Sequence, residues 1–179
     1  MAAPARKDAI RNRARLIEAA AKAFREQGLD VSVNAIARAA GVNIATLYRH
    51  FPAKEDLVAA VIEQVLAPLA AARDAALGAD RVLETFLHES ARGQAEQRGF
   101  ADALLREGVR EQLREGAYAI VAPVVERAHR EGELRADFGA RDLLLVLRMV
   151  SVLAASPRTT PAELERHLGV LLRGLAPSA

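Results

Sequence analysis

Cysteine and tryptophan are absent from this 179-residue chain, and aromatic residues make up only 4% of it. Without cysteine there is neither a disulfide nor a thiolate metal site, so stability must come from apolar burial. At 51% hydrophobic and 27% charged residues, the chain has the material for a full core. No long uncharged apolar run occurs, and the N-terminus lacks an apolar signal core, so a soluble, cytoplasmic protein with no membrane attachment is expected. The alternation of Val, Ile and Thr that marks strands is also missing. Apolar residues recur instead at intervals of three and four, which predicts an all-α fold of about nine helices. Marks of catalysis are lacking too. His50, His88, His129 and His167 are scattered without an i, i+4 pair, and there is no HExxH motif or Gly-rich phosphate loop. Ser90, Ser151 and Ser156 have no recognisable base and acid around them, and His88 beside Glu89 projects to a different helix face. Neither an enzyme, a metal site nor a cofactor is expected.

Charge of one sign is concentrated. Residues 1–54 hold ten Lys/Arg against four Asp/Glu, a net +6, and the remainder carries a net −4. A basic end on an acidic body suits a protein that docks a polyanion through that end. Within the basic third, residues 32–51 read SVNAIARAAGVNIATLYRHF. Ser32 is a good N-cap, and Ile36, Ala37 and Ala40 form the apolar stripe of a short helix. Gly41 can take the left-handed conformation that stops it. Val42 is then expected as a buried turn residue and Asn43 as a second N-cap, opening a helix over 44–50 with Leu47 and Phe51 inward. Two short capped helices joined by a Gly-containing turn make a helix-turn-helix. The second helix would present Ile44, Ala45, Thr46, Tyr48, Arg49 and His50, a surface of donors and one cation that suits DNA better than a core.

The run IARAAGVNIATLYRHFPAKEDLVAAV resembles the DNA-binding signature of the TetR/AcrR family of one-component transcriptional regulators. Extended back to the preceding helix, the resemblance spans residues 8–66. It implies that Thr46 and Tyr48 offer hydroxyls to phosphates or base edges, and that His50 and Lys54 contact the DNA backbone. Arg49 and Asn34 sit at reading positions, where Arg can fork onto guanine and Asn onto adenine. Ile44 and Ala45 offer apolar contact, for instance to a thymine methyl. The capping residues Ser32 and Asn43 complete the expected DNA-binding set. Asn43-Ile44-Ala45 departs from the family, which more often has Ser followed by a small residue. Asn still caps, so the departure bears on operator preference rather than fold.

Around this motif, residues 1–7 read as a disordered basic arm, and a first helix spans 8–27 with Leu16, Ile17, Ala20 and Phe24 inward. A fourth helix runs over 54–76, kinked or ended at Pro68. Further helices are expected over 80–97, 100–112, 114–131, 140–155 and 161–174. The helix over 114–131 is read with Tyr118, Val121, Val125 and Ala128 inward. This divides the chain into a DNA-binding domain, 1–53, and a regulatory and dimerisation domain, 54–179. The stretch from ALLREGVR through ELRADFGARDLLLVLRMVSVLA resembles the SbtR-like subset of the family. The helix over 140–155 is apolar nearly all round, which a helix covered on one side would not tolerate. A homodimer through the eighth and ninth helices, as the resemblance implies, would account for the surplus.

The resemblance further implies an apolar effector pocket within the C-terminal helices. Val65, Phe86, Phe100, Leu104, Tyr118, Val121 and Met149 are the expected lining, with His88 and Arg148 as polar handles. The expected function is therefore a TetR-like repressor on a palindromic double-stranded DNA operator, released by a small-molecule effector. The alternatives are a ligand-independent regulator or activator, and a helical protein-interaction module.

Overall fold

The computed structural model describes residues 3–96 and 110–177, and all regular structure among them is α-helical. The chain forms two compact units, and the division cuts two helices, between Val65 and Leu66 and between Gln112 and Leu113.

The first unit holds α1 (Ala3–Gln27), α2 (Val33–Ala39), α3 (Ile44–His50) and the first half of α4 (Lys54–Leu77), together with residues 110–112. Helix α1 starts at Ala3 rather than at Asp8, so the basic residues of the expected arm extend the helix. Pro4 does not prevent this, because the first turn of a helix needs no intrahelical N–H. At its other end Gly28 takes φ 79°, and the chain turns away. Both predicted caps form: Ser32 Oγ accepts from Ala35 N–H at 3.2 Å, and Asn43 Oδ1 accepts from Ala45 N–H at 2.8 Å. Between them Gly41 takes φ 65° and ends α2. Val42, expected buried, is only half-buried. Leu16, Ile17, Ala20 and Phe24 of α1 are buried, as are Ile36, Ala37, Ala40, Leu47, Phe51, Leu57 and Val61. Each large apolar side chain so buried contributes about 1.5–3 kcal/mol against the entropy of ordering the chain. This small core holds α3 with one face inward and the other outward.

The second unit contains the rest of α4, α5 (Val82–Glu96), α6 (Arg110–Arg130, from residue 113), α7 (Ala140–Ala155) and α8 (Pro161–Leu175). The expected helix over 100–112 falls mostly outside the described residues. Where that helix is expected to end, 110–112 instead continue directly into α6, because REQLRE is made of good helix formers with no stop between 112 and 114. Helix α4 likewise continues through Pro68 to Leu77 rather than ending there. The core is built from Phe86 and Leu87 of α5, Val121, Val124 and Val125 of α6, Leu143, Val146 and Val150 of α7, and Leu168 of α8. Tyr118, expected inward, is 46% exposed, because it lies at the edge of the arc that Val121, Val125 and Ala128 bury.

Two charged side chains of the α6 region fix the turn between α4 and α5. Arg127 donates to the carbonyls of Ala76, Leu77 and Ala79, which cap the end of α4, and its Nε pairs with Glu131 at 2.7 Å. Glu133 accepts from Val82 N–H at 3.2 Å and Leu83 N–H at 2.9 Å, so a carboxylate meets the positive end of α5. Thr160 and Glu163 form a reciprocal capping box at the start of α8, with Pro161 in its first turn.

Candidate nucleic-acid interface

Helix α3 owes its orientation to Leu47, 1% exposed, while its neighbour Tyr48, about a third of a turn on, is 49% exposed. Asn34, Asn43, Ala45, Tyr48 and Arg49 are exposed, and Ile44, Thr46, His50 and Lys54 are half-buried. Between Asp30 and Glu55 the sequence has no acidic residue, while Arg38, Arg49, His50 and Lys54 fall within the same span. The face that leaves α3 is thus free of carboxylates from its own segment. Ser32 and Asn43 spend their acceptor oxygens on the caps. The Ser32 hydroxyl proton and the Asn43 amide donors remain for an acceptor outside the helix, the chemistry a phosphate requires.

Three further contacts, absent from the sequence reading, brace this face. Arg13 of α1 lies with its guanidinium 5.4 Å from the Phe51 ring centre, a cation–π contact at the exit of α3. Arg15 of α1 lies over the turn of the helix-turn-helix, so that a Cβ at Gly41 would come within 2.6 Å of its guanidinium. Lys54 donates its ammonium to the Leu29 carbonyl and, at 2.8 Å, to the Val31 carbonyl. It thereby ties the first turn of α4 to the link between α1 and α2. Sequence offers no periodic signal for pairs 23 or 25 residues apart.

That last contact makes a prediction. Lys54→Met should lower the melting temperature, because two carbonyls lose a charge-assisted donor worth roughly 1.5–3 kcal/mol. If Lys54 acts only as this tether, the slope of log affinity against log salt should stay as in wild type. A phosphate contact would instead reduce it by about 0.9.

The residues expected to line a ligand pocket do not form one group. Phe86 and Val121 are fully buried in the core of the second unit, and Val65 is half-buried in the first. Tyr118, Arg148 and Met149 are exposed. The last two stand on the side of α7 away from Leu143, Val146 and Val150, which take its core-facing side. Phe100 and Leu104 lie outside the described residues. His88 borders an open cleft of about 410 Å³ between α5, the end of α7 and the start of α8, and hydrogen-bonds Glu165. Among the described residues no cluster of three or more His, Asp or Glu is placed to hold a metal, and no helix is long and apolar enough to cross a membrane.

Comparison with known proteins places this geometry. Residues 16–61 match the family model for bacterial regulatory proteins of the tetR family, and residues 78–177 match that for the C-terminal domain of SbtR-like transcriptional regulators. The HTH-type transcriptional regulator SAB2452 of Staphylococcus aureus is 50% identical over 62 residues, 34% of each chain. The chain thus matches only about a third of the length of that curated relative. A TetR transcription regulatory protein from Mycobacterium vanbaalenii is 31% identical, with a TM-score of 0.53 over 97% of this chain and 99% of that one. A gamma-butyrolactone receptor, ArpA-like, is 26% identical, with a TM-score of 0.58 over 94% and 90% of the two chains. Relatives of this kind regulate transcription by binding DNA and are not enzymes. From its helix-turn-helix through its C-terminal helices, this chain belongs to the TetR family of DNA-binding transcriptional regulators, with a C-terminal domain of the SbtR-like type.

Proposed function

We propose that the protein is a cytoplasmic, homodimeric repressor that reads a palindromic operator and leaves it on binding a small-molecule effector. The observation that carries the DNA-reading part is the face of α3, with Tyr48 and Arg49 exposed beside the inward Leu47 and no carboxylate in its segment. Thr46 and Tyr48 serve as phosphate or base-edge donors, with His50 at the DNA backbone. Arg49 and Asn34 read bases, and Ile44 and Ala45 meet thymine methyls. Paired heads insert α3 into successive major grooves, about 34–36 Å apart. Dimerisation uses α7 and α8, whose Leu145, Met149, Val152 and Val170 are exposed apolar residues. Effector release is supported by the likeness to a gamma-butyrolactone receptor, a protein named for a small-molecule ligand. An effector acts by favouring the conformation that does not fit the operator, which shifts the population away from DNA.

Selection of bound fragments from randomised duplex DNA tests the reading. The expected result is an enriched palindrome; no enrichment at low salt by a folded dimer would defeat it. With that palindrome in hand, Arg49→Ala should lose about 1–3 kcal/mol at one base position and relax preference there. Competition with singly mutated operators measures this, and an unchanged preference removes Arg49 from the reading set. Burial of Phe86 and Val121 within the core favours a second reading, a ligand-independent regulator. A thermal-shift screen of small molecules separates the two.

A further inference from the structure

His88 projects from α5 towards α8, and both of its ring nitrogens face acceptors. Nδ1 lies 2.8 Å from the Glu84 carbonyl oxygen, and Nε2 lies 2.9 Å from Glu165 Oε2. A backbone carbonyl has no proton to give, and neither has an ionised carboxylate. Both contacts are hydrogen bonds together only when both nitrogens carry hydrogen, that is, when the ring is an imidazolium. A neutral ring has one N–H and must abandon one partner or turn a lone pair towards it.

The groups around the ring suit the charged form. From α5, Glu84, which is paired with Arg81 at 3.6 Å, acts on the ring, and Arg92, itself paired with Glu89 at 3.0 Å, lines the same cleft. Helix α8 contributes Glu165. The end of α7 contributes only Leu153 and Ala154 to this cleft, and the connection to α8 contributes Ser156, Pro157, Thr159 and Thr160, none of them charged. Partial burial of the imidazole disfavours its charge. The Glu84 carbonyl, the Glu165 carboxylate and the Glu84 charge outweigh that, so the group titrates above its ordinary value of about 6.5.

We propose that His88 and Glu165 form a proton-operated clasp between α5 and α8, tight while His88 is an imidazolium and loosened when it loses a proton, because a neutral ring can keep Glu165 only as an uncharged donor that gives up the Glu84 carbonyl. The clasp makes the seating of α8, next to the cleft, responsive to pH. Its sign follows from linkage. A histidine whose folded-state value is raised stabilises fully below the unfolded value, near 6.5, and the contribution disappears as pH rises through the folded value.

The test is a pH titration of the full chain. Nitrogen NMR of the imidazoles should show His88 protonated at both nitrogens at pH 6 and titrating above 6.5. Glu165→Gln should move the His88 midpoint downward. Its melting temperature should fall below that of wild type under acidic conditions, and the difference should vanish above the wild-type His88 midpoint. A His88 midpoint at or below 6.5 in wild type, or a stability difference that does not change with pH, overturns the proposal. If Glu165→Gln fails to fold, the wild-type NMR midpoint alone decides it.

Discussion

Met149→Glu combined with Val152→Glu should convert the protein to a folded monomer and reduce operator affinity by about 10²–10⁴-fold, the gain that joining two reading heads provides. Helix α7 carries apolar residues on two sides. Leu143, Val146 and Val150 enter the core, while Leu145, Met149 and Val152, spaced i, i+4 and i+7, are 56%, 52% and 66% exposed. A contiguous exposed apolar strip of this kind marks an interaction surface. Neither substitution buries a charge in the monomer, so the melting transition should persist. In a two-helix seam, by contrast, each glutamate meets its symmetry mate or an apolar neighbour and must be desolvated. Sedimentation equilibrium alongside operator titration distinguishes the cases. A variant that remains dimeric at micromolar concentration would move the seam away from this face of α7.

Leu47→Ala should cost about 2–5 kcal/mol and abolish operator binding, although the residue touches no DNA in the proposed reading. Its side chain is 1% exposed, and Leu16, Phe24, Ile36 and Phe51 of the same unit are at most 3% exposed, a core too small to redistribute the loss. Since α3 has only seven residues, it cannot persist without its tertiary contacts. Tyr48→Ala supplies the contrast one position away. It should change the melting temperature little and still weaken binding. Thermal unfolding followed by circular dichroism, together with operator titration, measures both variants. Equal stability of Leu47→Ala and wild type would show that α3 is held by something other than this core.

The first unit was largely legible because its determinants are local. Ser32, Gly41 and Asn43 set helix ends through their own backbone neighbours, and the stripes Leu16–Ala20–Phe24 and Ile36–Ala40 follow helical period. The C-terminal helices were legible as helices, but the facing of their residues was less so. Tyr118 fits the apolar stripe of α6 by period and still lies at its edge, because several neighbours compete for the same inner arc. Met149 and Arg148 could be assigned to either side of α7, since a helix apolar all round has no preferred face in sequence. The contacts of Lys54, Arg127 and Glu133 depend on chain segments brought together only by folding. No spacing rule encodes them.

The clamp that Arg127 places on the last carbonyls of α4 has a mechanical consequence. With the end at Ala76–Ala79 fastened by a guanidinium and the opening turn fastened by Lys54, α4 is a beam held at both ends. Pro68 lies between the two fastenings and cannot donate to the Gln64 carbonyl, so one rung of the hydrogen-bond ladder is missing there. Around that gap the neighbouring helices present bare backbone. A Cβ on Gly93 would come within 3.1 Å of the Pro68 ring, and one on Gly116 within 2.5 Å of Leu66. The ladder of α4 is therefore thinnest over residues 64–68, the stretch where this helix bends most easily.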